Sequence, residues 1–148
     1  MTDKNQQFPK ISIITVTYNS EETIEDTIKS VKSQSYKQIE HIIIDGVSSD
    51  NTLKIINNYS ESISLVVSEP DDGIYDAFNK GLKKATGDII AILNSDDVFF
   101  DKEVLTLVVK TFNQTGSDIV YGDAVMVKKD NLESIVRFWK SSNFIPGS

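Results

Sequence analysis

The chain contains no cysteine and only one histidine among its 148 residues. The absence of cysteine excludes a disulfide scaffold, a thiolate zinc site and a cysteine nucleophile. The single histidine excludes a histidine-rich metal site and weakens any interpretation as a Ser-His-Asp hydrolase. The chain therefore cannot carry out thiol chemistry or bind a metal through several histidines.

Basic residues and long apolar runs are also scarce. Lys and Arg number 15 against 22 Asp and Glu, which gives a formal net charge of −7. Binding to a phosphate backbone depends on clustered Lys and Arg, so we do not expect a nucleic-acid partner. The longest apolar runs, residues 42–44 and 89–93, fall well short of the ~18 residues of a membrane span. Residues 1–10 form a polar leader without the apolar run of a signal peptide, and the expected compartment is the cytoplasm.

The composition is that of one globular domain. Hydrophobic residues make up 39% of the chain and charged residues 25%, which is ordinary for a soluble protein. Segments rich in β-branched residues alternate with amphipathic ones, a pattern that predicts a mostly parallel α/β sheet. Strands are expected at residues 11–17, 40–44, 63–68, 89–93 and 118–121, and helices at 21–34, after 50–52, at 74–85 and at 102–113. Residues 123–139 predict a C-terminal hairpin that turns near 128–131.

The fourth strand, residues 89–93, is nearly continuous in apolar residues. Such a run is typical of a central strand that is buried on both faces. In open parallel sheets, ligands bind beyond the carboxyl ends of the strands. The residues at those ends are polar and mainly acidic: Thr17, Tyr18 and Asn19 after strand one, Asp45 after strand two, Glu69, Asp71 and Asp72 after strand three, and Asn94, Asp96 and Asp97 after strand four.

Carboxylates that converge on one crevice repel each other, by about 4 kcal/mol for two charges ~4 Å apart at an effective dielectric near 20. A cation is one way to neutralise them. Mg²⁺ prefers one or two carboxylates together with phosphate oxygens of a substrate. Asp96 and Asp97 directly follow a buried strand, so they would present two hard oxygen ligands to a metal that also contacts a diphosphate. Asp45 could accept a hydrogen bond from a base or a ribose, with the ring of Tyr18 beside it.

Five blocks of the sequence lie in order over residues 11–122. They are Thr15-Val-Thr-Tyr-Asn19, Asp45-Gly-Val-Ser-Ser-Asp-Asn-Thr52, Asp72-Gly-Ile-Tyr-Asp-Ala-Phe-Asn-Lys-Gly81, Ala85-Thr-Gly-Asp88 and Leu93-Asn-Ser-Asp-Asp97. Together these blocks resemble the family-2 glycosyltransferases, whose GT-A fold is a Rossmann-like sheet. The segment Glu69-Pro-Asp-Asp-Gly-Ile-Tyr-Asp-Ala77, which overlaps the third block, most resembles bacterial enzymes that build capsule, O-antigen or exopolysaccharide.

The resemblance implies a role for each matching position. Thr17, Tyr18 and Asp45 would surround the nucleotide base, commonly uracil, and Asn19 would belong to the same donor-binding strand end. Asp72 and Lys80 would lie near the ribose and diphosphate of the donor. Asn94, Ser95 and Asp96 stand where the family has its Asp-x-Asp motif. In that motif Asp96 would bind Mg²⁺ or Mn²⁺, and Asp97 would act catalytically on the sugar side.

The sequence departs from the family in two ways. Asn94 replaces the first aspartate of the motif and supplies no charge. Family members also run past 200 residues, and their second half carries the acceptor site and a carboxylate general base. Residues 1–148 are therefore expected to be a donor-binding GT-A domain that stops before that half.

The resulting hypothesis is a metal-dependent, inverting transfer from a nucleotide-diphospho-sugar, with UDP as the expected nucleotide, to a hydroxyl acceptor. That acceptor would be a glycan or a lipid-linked glycan in bacterial polysaccharide synthesis, with peripheral association at the inner face of the membrane. Two alternatives stay open. One is a module that binds a nucleotide-sugar without turnover. The other is a nucleotidyltransferase, against which the acidic, glycine-free segment 18–22 argues.

Overall fold

A parallel sheet of four strands organises the chain in the computed structural model, which describes residues 8–142. Residues 1–7 of the predicted polar leader lie outside the described part. The strands of this sheet are β1 (Ile11–Thr17), β2 (Ile39–Asp45), β3 (Leu65–Ser68) and β4 (Ile89–Ile92). The helices are α1 (Ile24–Lys32), α2 (Thr52–Asn58), α3 (Ile74–Lys84) and α4 (Val104–Thr115), with a short 3₁₀ turn at Ser60–Ser62.

The strand order of the sheet is β3-β2-β1-β4, and all its strands run parallel. Every residue of β1 is buried, as expected for a β-branched strand with a neighbour on each side. The register places Thr17 opposite Asp45 and Ile14 opposite Ile92. Because parallel strands end at the same edge, the loops after β1, β2 and β4 begin next to one another.

Helices cover both faces of β1 and β2. On one face, Ile11 and Ile13 of β1 pack with Val31 of α1 and with Leu105 and Val109 of α4. On the other face, α3 packs against β1 and β2, with Ala77 in contact with the buried isoleucines of both strands. Gly81 permits this close approach, because a Cβ at that position would collide with the side chain of Ile14. Burying each such isoleucine stabilises the fold by roughly 1.5–3 kcal/mol.

The prediction that strand four is central and buried on both faces is wrong. Among the described residues β4 lies at the margin of the sheet. Its residues Ile90 and Ile92 are 43% and 56% exposed. Ile89 and Ala91 pack against the α1 and α4 side, but α3 lies over β1 and β2 and leaves the opposite face of β4 open. An apolar run shows only that a strand can be buried. Which faces are buried depends on the helices above them, and α3 packs on β1 and β2 rather than on β4.

The predicted strand at residues 118–121 is also wrong. The structure assigns no regular element to it, and Ile119 is 76% exposed. A strand requires a hydrogen-bonded neighbour, and this segment has none among the described residues. The predicted hairpin is confirmed as the antiparallel pair β5 (Ala124–Lys128) and β6 (Asn131–Trp139).

The other predicted elements are confirmed, with ends that differ by up to three residues. The α/β class, with a parallel sheet flanked by helices and a C-terminal hairpin, is therefore the observed fold. Within residues 8–142, the helices are all too short or too polar to traverse a lipid bilayer.

Candidate functional site

The loops that follow β1, β2 and β4 are joined to one another by side-chain hydrogen bonds. The amide of Asn19 donates to Ser48 Oγ at 2.8 Å, and the amide of Ser49 donates back to Asn19 Oδ1 at 2.9 Å. The hydroxyl of Ser20 lies 2.9 Å from that of Ser95. The carboxyl edge of the sheet is thus one connected surface rather than three separate loops.

Asp45 lies beneath this surface and is fully buried. Its Oδ1 accepts a hydrogen bond from Ser48 Oγ at 2.5 Å. Its Oδ2 accepts hydrogen bonds from the amide of Ser48 at 3.0 Å and from Ser68 Oγ at 2.7 Å. These contacts satisfy the desolvated carboxylate and fix the loop after β2. The predicted contact between Asp45 and a base stays a prediction, but this geometry favours a role in holding the loop.

Two residues in these loops have a left-handed backbone although neither is glycine: Asn19 at φ +49° and Val47 at φ +63°. Asparagine adopts this conformation readily, whereas for a β-branched residue it is an outlier. Such strain persists only where surrounding contacts impose it, and it clusters at functional sites. Here the hydrogen bonds of Ser48, the next residue, supply the constraint on Val47.

A cleft of about 350 Å³ opens at this edge between the loops after β1, β2 and β3. The exposed ring of Tyr18 forms part of it. The neighbouring Thr17 is 6% exposed, and its Oγ1 has no hydrogen-bond partner among the described residues. Aromatic rings at such edges stack on planar ligands. The lining residues are Tyr18, Gly46, Val47, Pro70 and Asp71.

The segment from Asn94 to Asp97 leaves β4 toward the same edge and is fastened to α1. Thr27, fully buried on α1, donates its Oγ1 to the carbonyls of Ser95 at 3.0 Å and Asp97 at 2.8 Å. Asn94 Nδ2 donates to Asp97 Oδ2 at 3.1 Å. The carboxylate of Asp96 is exposed beside them. The backbone of this segment is therefore held in place by α1, while the side chain of Asp96 is exposed to solvent.

The pKa of Asp97 is raised above its ordinary value. Burial is the main cause, and the neighbouring charge of Asp96 adds to it, whereas the hydrogen bond from Asn94 acts in the opposite direction. A carboxylate whose charged form is disfavoured in this way gains from a nearby cation.

Asp72 lies in the loop just before α3, and Lys80 lies in the middle of that helix. Asp72 is exposed. Lys80 Nζ lies 3.1 Å from Asp76 and 3.3 Å from Glu69, and it donates to the carbonyl of Pro70 at 2.5 Å. Burial alone would lower the pKa of Lys80, but its hydrogen bonds with Asp76 and Glu69 outweigh that effect and raise it. Lys80 thus keeps its charge while bracing the loop after β3.

The structure brings most of the predicted residues to one edge of the sheet. Thr17, Tyr18, Asn19 and Asp45 share the ends of β1 and β2, and Ser95 is linked to them through Ser20. The sequence predicted no donor or metal role for Ser20, Thr27, Gly46, Val47 or Ser48, and it placed Asp71 with Asp72 among the acidic residues after strand three. Ser20 and Ser48 each lie three residues after a strand, where hydroxyls commonly hold loops, and this was the available signal for them. Thr27 lies within α1, where no such signal marks it.

Within residues 8–142, no three His, Cys, Asp or Glu side chains surround a common cation position. The donor set at the end of β4 nevertheless fits a hard divalent ion. Asp96 and Asp97 supply carboxylate oxygens, and Mg²⁺ commonly takes one or two of these and completes its shell with water and substrate phosphate.

Comparison with curated proteins finds several glycosyltransferases. An uncharacterized glycosyltransferase of Mycobacterium tuberculosis is 37% identical over 109 residues, which are 73% of this chain and 42% of that protein. A PGL/p-HBAD biosynthesis glycosyltransferase of the same species is 32% identical over 122 residues, covering 80% of this chain and 48% of that protein. A putative teichuronic acid biosynthesis glycosyltransferase of Bacillus subtilis is 42% identical over 92 residues, covering 60% and 36%. The chain spans less than half the length of these relatives.

Solved structures with the same fold include TarS of S. aureus in complex with UDP-GlcNAc, which matches with a TM-score of 0.69. The two sequences are 31% identical, and the match covers 74% of this chain and 32% of that chain. Another is a mannosyltransferase of Pyrobaculum calidifontis in complex with GDP-Man and Mn²⁺, with a TM-score of 0.67 and 25% identity over 84% and 37% of the two chains.

The family model described as glycosyl transferase family 2 matches residues 12–145, which is nearly the whole chain. The order of motifs, the parallel sheet with its polar carboxyl edge and these matches agree, and the resemblance seen in the sequence is confirmed. The chain belongs to glycosyl transferase family 2.

Proposed function

We propose that this chain binds a nucleotide-diphospho-sugar and forms the donor side of a glycosyltransferase that transfers the sugar to a hydroxyl acceptor. The observation that carries the proposal is the shared edge of β1, β2 and β4. It joins an aromatic cleft at Tyr18 to the acidic Asn94–Asp97 segment through the contact of Ser20 with Ser95. A donor with a planar base at one end and a diphosphate at the other suits such an arrangement. The complexes of related proteins with UDP-GlcNAc and GDP-Man support it.

The donor diphosphate would lie at the segment after β4, together with a divalent cation, Mg²⁺ or Mn²⁺. Asp96 would hold the cation, because its carboxylate is exposed at the end of a fixed strand. When bound, the ion would supply positive charge that stabilises the departing diphosphate. The Mn²⁺ complex of the Pyrobaculum calidifontis mannosyltransferase supports this assignment.

The residues of this chain would contribute mainly by positioning. Thr27 fixes the backbone of Ser95 and Asp97, so the backbone that carries the acidic side chains would not have to reorganise when the donor binds. The hydrogen bond from Asn94 to Asp97 would orient this carboxylate, which we assign to the sugar side of the site. Tyr18 would stack on the base, and Asp72 and Lys80 would lie toward the ribose and diphosphate.

The proposed reaction is a direct displacement with inversion. The acceptor oxygen attacks the anomeric carbon as the bond from that carbon to the diphosphate breaks, and the acceptor proton passes to a general base that we place outside residues 8–142. We expect the acceptor to be a glycan or a lipid-linked glycan in bacterial polysaccharide synthesis, and the relative named for teichuronic acid biosynthesis supports that setting. Such an acceptor would place the protein in the cytoplasm, at the inner face of the membrane.

A thermal-shift titration tests the donor site. We expect UDP to raise the melting temperature in the presence of Mn²⁺ and much less in its absence, because the ion offsets repulsion between the diphosphate and Asp96. In Asp96→Asn the metal-dependent shift should disappear. Asp130→Asn, an exposed residue of the β5–β6 turn, is the matched control and should respond like the wild type. An unchanged shift in Asp96→Asn would remove the metal assignment.

A second candidate, which the sequence leaves open, is a module that binds the donor without turnover. Measuring UDP-sugar hydrolysis and transfer alongside binding separates the two. Binding with neither reaction supports the module, whereas either reaction, lost in Asp96→Asn, supports the transferase.

A further inference from the structure

We propose that the outer edge of β3 is a self-association surface, at which a second copy of this chain pairs antiparallel with β3 about a two-fold axis. The proposal does not depend on the donor site, and it adds a partner to the function proposed above. It rests on the outer side of β3 and on the flank of α3 that lies beside that strand.

The strand β3 is the last one on its side of the sheet. The backbone N–H and C=O groups on its outer side therefore have no strand beside them within residues 8–142. Its residues Leu65 and Val66 are 36% and 37% exposed. Natural edge strands commonly avoid pairing by carrying proline or charged residues, and Leu65–Ser68 contains neither. The edge is therefore able to accept a further strand.

A cleft of about 400 Å³ lies between β3 and α3. Its apolar wall is formed by Ile44 and Val67, and Val67 packs against the buried cluster beneath α3. Leu65 pairs with Ile42 of that cluster and so lies on the same face of the sheet. A second copy placed against β3 would cover this apolar wall. The other lining residues are all charged: Glu69, Asp76, Lys80, Lys83 and Lys84.

These charges are separated along α3. At the start of the helix, Lys80 Nζ lies 3.3 Å from Glu69 and 3.1 Å from Asp76, so two carboxylates share one ammonium group. In the last turn, Lys83 and Lys84 are exposed, and neither forms an ion pair with another described residue. The flank beside β3 is therefore acidic at the carboxyl end of the strand and basic at its amino end.

An antiparallel pair brings these opposite ends together. When two copies of β3 pair about an axis normal to the sheet, the carboxyl end of each strand lies beside the amino end of the other, and both α3 helices cover the same face. Glu69 then lies beside Lys84 of the partner subunit, and the symmetry repeats this contact. Parallel pairing would instead place like charges side by side and would leave the assembly open. The charge pattern therefore favours a closed dimer.

The dimer should be weak. A strand of four residues and one helix flank form a small contact, and interfaces below about 1,200 Å² hold transient complexes. We expect a dissociation constant on the order of 100 μM. At about 0.15 M salt, charges more than ~8 Å apart are largely screened. The facing charges of the edge should then matter more than the net charge of −7 on each copy.

Sedimentation velocity of the full chain at rising concentration, in about 0.15 M salt, tests the proposal. We expect a concentration-dependent dimer of the wild type. Glu69→Lys and Lys84→Glu each place like charges opposite one another, so each variant alone should associate at least about tenfold more weakly. Glu69→Lys also reduces the net negative charge, which by itself would predict stronger association.

An equimolar mixture of the two variants is the sharpest measurement. Each variant supplies the charge that the other lacks, so the mixture should form a heterodimer with an affinity close to that of the wild type. General damage to either chain would not be rescued in this way. Glu133→Lys, on the exposed hairpin, makes the same charge change as Glu69→Lys and should dimerise at least as well as the wild type. A mixture that stays monomeric would overturn the proposal.

A single introduced thiol locates the contact independently, because the chain has no cysteine. Oxidation of Val66→Cys should give a disulfide-linked dimer, since paired strands hold opposing Cα atoms within the range that a disulfide spans. Leu132→Cys, at an exposed position of the hairpin, is the control and should stay mostly monomeric. A wild type that is monomeric at every concentration would refute the proposal. So would a dimer that both charge variants retain, since its interface would lie elsewhere, for example on the open face of β4.

Discussion

Val47 places a β-branched side chain in the left-handed region, at φ +63°. A conformation of this kind costs on the order of 1–3 kcal/mol. The strain is imposed by Ser48, whose amide and hydroxyl are both bonded to Asp45, and it brings the Val47 side chain into the wall of the Tyr18 cleft. Val47 therefore lowers the stability of the fold through its strained backbone, and it lines the cleft that we propose binds the base.

Replacing Val47 with asparagine should relieve this strain. Asparagine tolerates the left-handed region far better than valine, so we expect Val47→Asn to raise the free energy of unfolding by about 1 kcal/mol. Urea denaturation measures the change. Val136→Asn, at an exposed position of β6 with a strand backbone, is the control and should be neutral or destabilising. A loss of stability in Val47→Asn would mean that contacts of the valine side chain outweigh the backbone strain.

The position of the residues at this edge could be predicted from the sequence, whereas their burial and their contacts could not. Strand ends can be read from β-branched runs, and this placed Tyr18, Asp45 and Asn94 at the same edge. The burial of Asp45 could not be read in this way, because it depends on Ser48 and Ser68 folding over the carboxylate. The approach of Asp71 to Gly46 depends on the path of a loop from another strand, for which no local pattern exists.

Among the elements, the two failed predictions have a common physical cause. A local sequence pattern indicates which secondary structure a segment favours. Its burial and its strand pairing depend on the segments that lie beside it in the fold. The apolar run of β4 lies at the margin of the described sheet, and residues 118–121 have the composition of a strand without a partner beside them. The helices α1, α3 and α4 were predicted well because their apolar stripes match the faces they bury.

Glu40 ties three segments together at the opposite, amino-terminal end of the sheet. Its side chain on β2 accepts hydrogen bonds from Lys10 at 2.9 Å and from Ser12 of β1 at 2.5 Å. It also accepts two from Thr86 in the loop between α3 and β4. Burial alone would raise the pKa of Glu40, but the hydrogen bonds from Ser12, Lys10 and Thr86 outweigh it and lower the pKa to about 2. The folded state thus favours the charged form.

The sign of the pH effect follows from this lowered pKa. The stabilisation by Glu40 is complete above its unfolded pKa of about 4.3 and is lost as the pH falls toward about 2. We expect Glu40→Gln to lower the free energy of unfolding by about 1–3 kcal/mol at pH 7, since it weakens several hydrogen bonds to a charged group. The difference from the wild type should shrink progressively as the pH falls below about 4.5 and should vanish only below the folded pKa of about 2.

Urea denaturation of both proteins between pH 7 and pH 3 measures this difference. Burial also lowers the pKa of His41 to about 4, so both proteins should lose stability between about pH 6.5 and 4, and the comparison cancels that contribution. Glu133→Gln, on the exposed hairpin, is the control and should match the wild type throughout. A difference between wild type and Glu40→Gln that is independent of pH would show that the charge of Glu40 does not stabilise the fold.

At the scale of the whole molecule, burial is unevenly distributed along the chain. The core lies in the sheet and helices before residue 117, and α4 completes it with Leu105 and Val109. The hairpin is different: every residue of β6 except Ser134 is exposed. An isolated hairpin is marginally stable at best, so the hairpin contributes little to holding the sheet together.

A chain that ends at residue 117 should therefore keep the fold of the sheet and the edge that carries the proposed donor site. The ion pair between Lys129 and Glu22 would be lost, but exposed pairs contribute only about 0–1 kcal/mol. We expect cooperative urea unfolding with a free energy within about 1 kcal/mol of the longer chain, and the same Mn²⁺-dependent thermal shift with UDP. A chain that ends at residue 103 lacks α4 and should not fold, because Leu105 and Val109 fill the core beneath β1. Loss of cooperative unfolding in the chain that ends at residue 117 would contradict this prediction. It would mean that residues 118–142 stabilise the sheet.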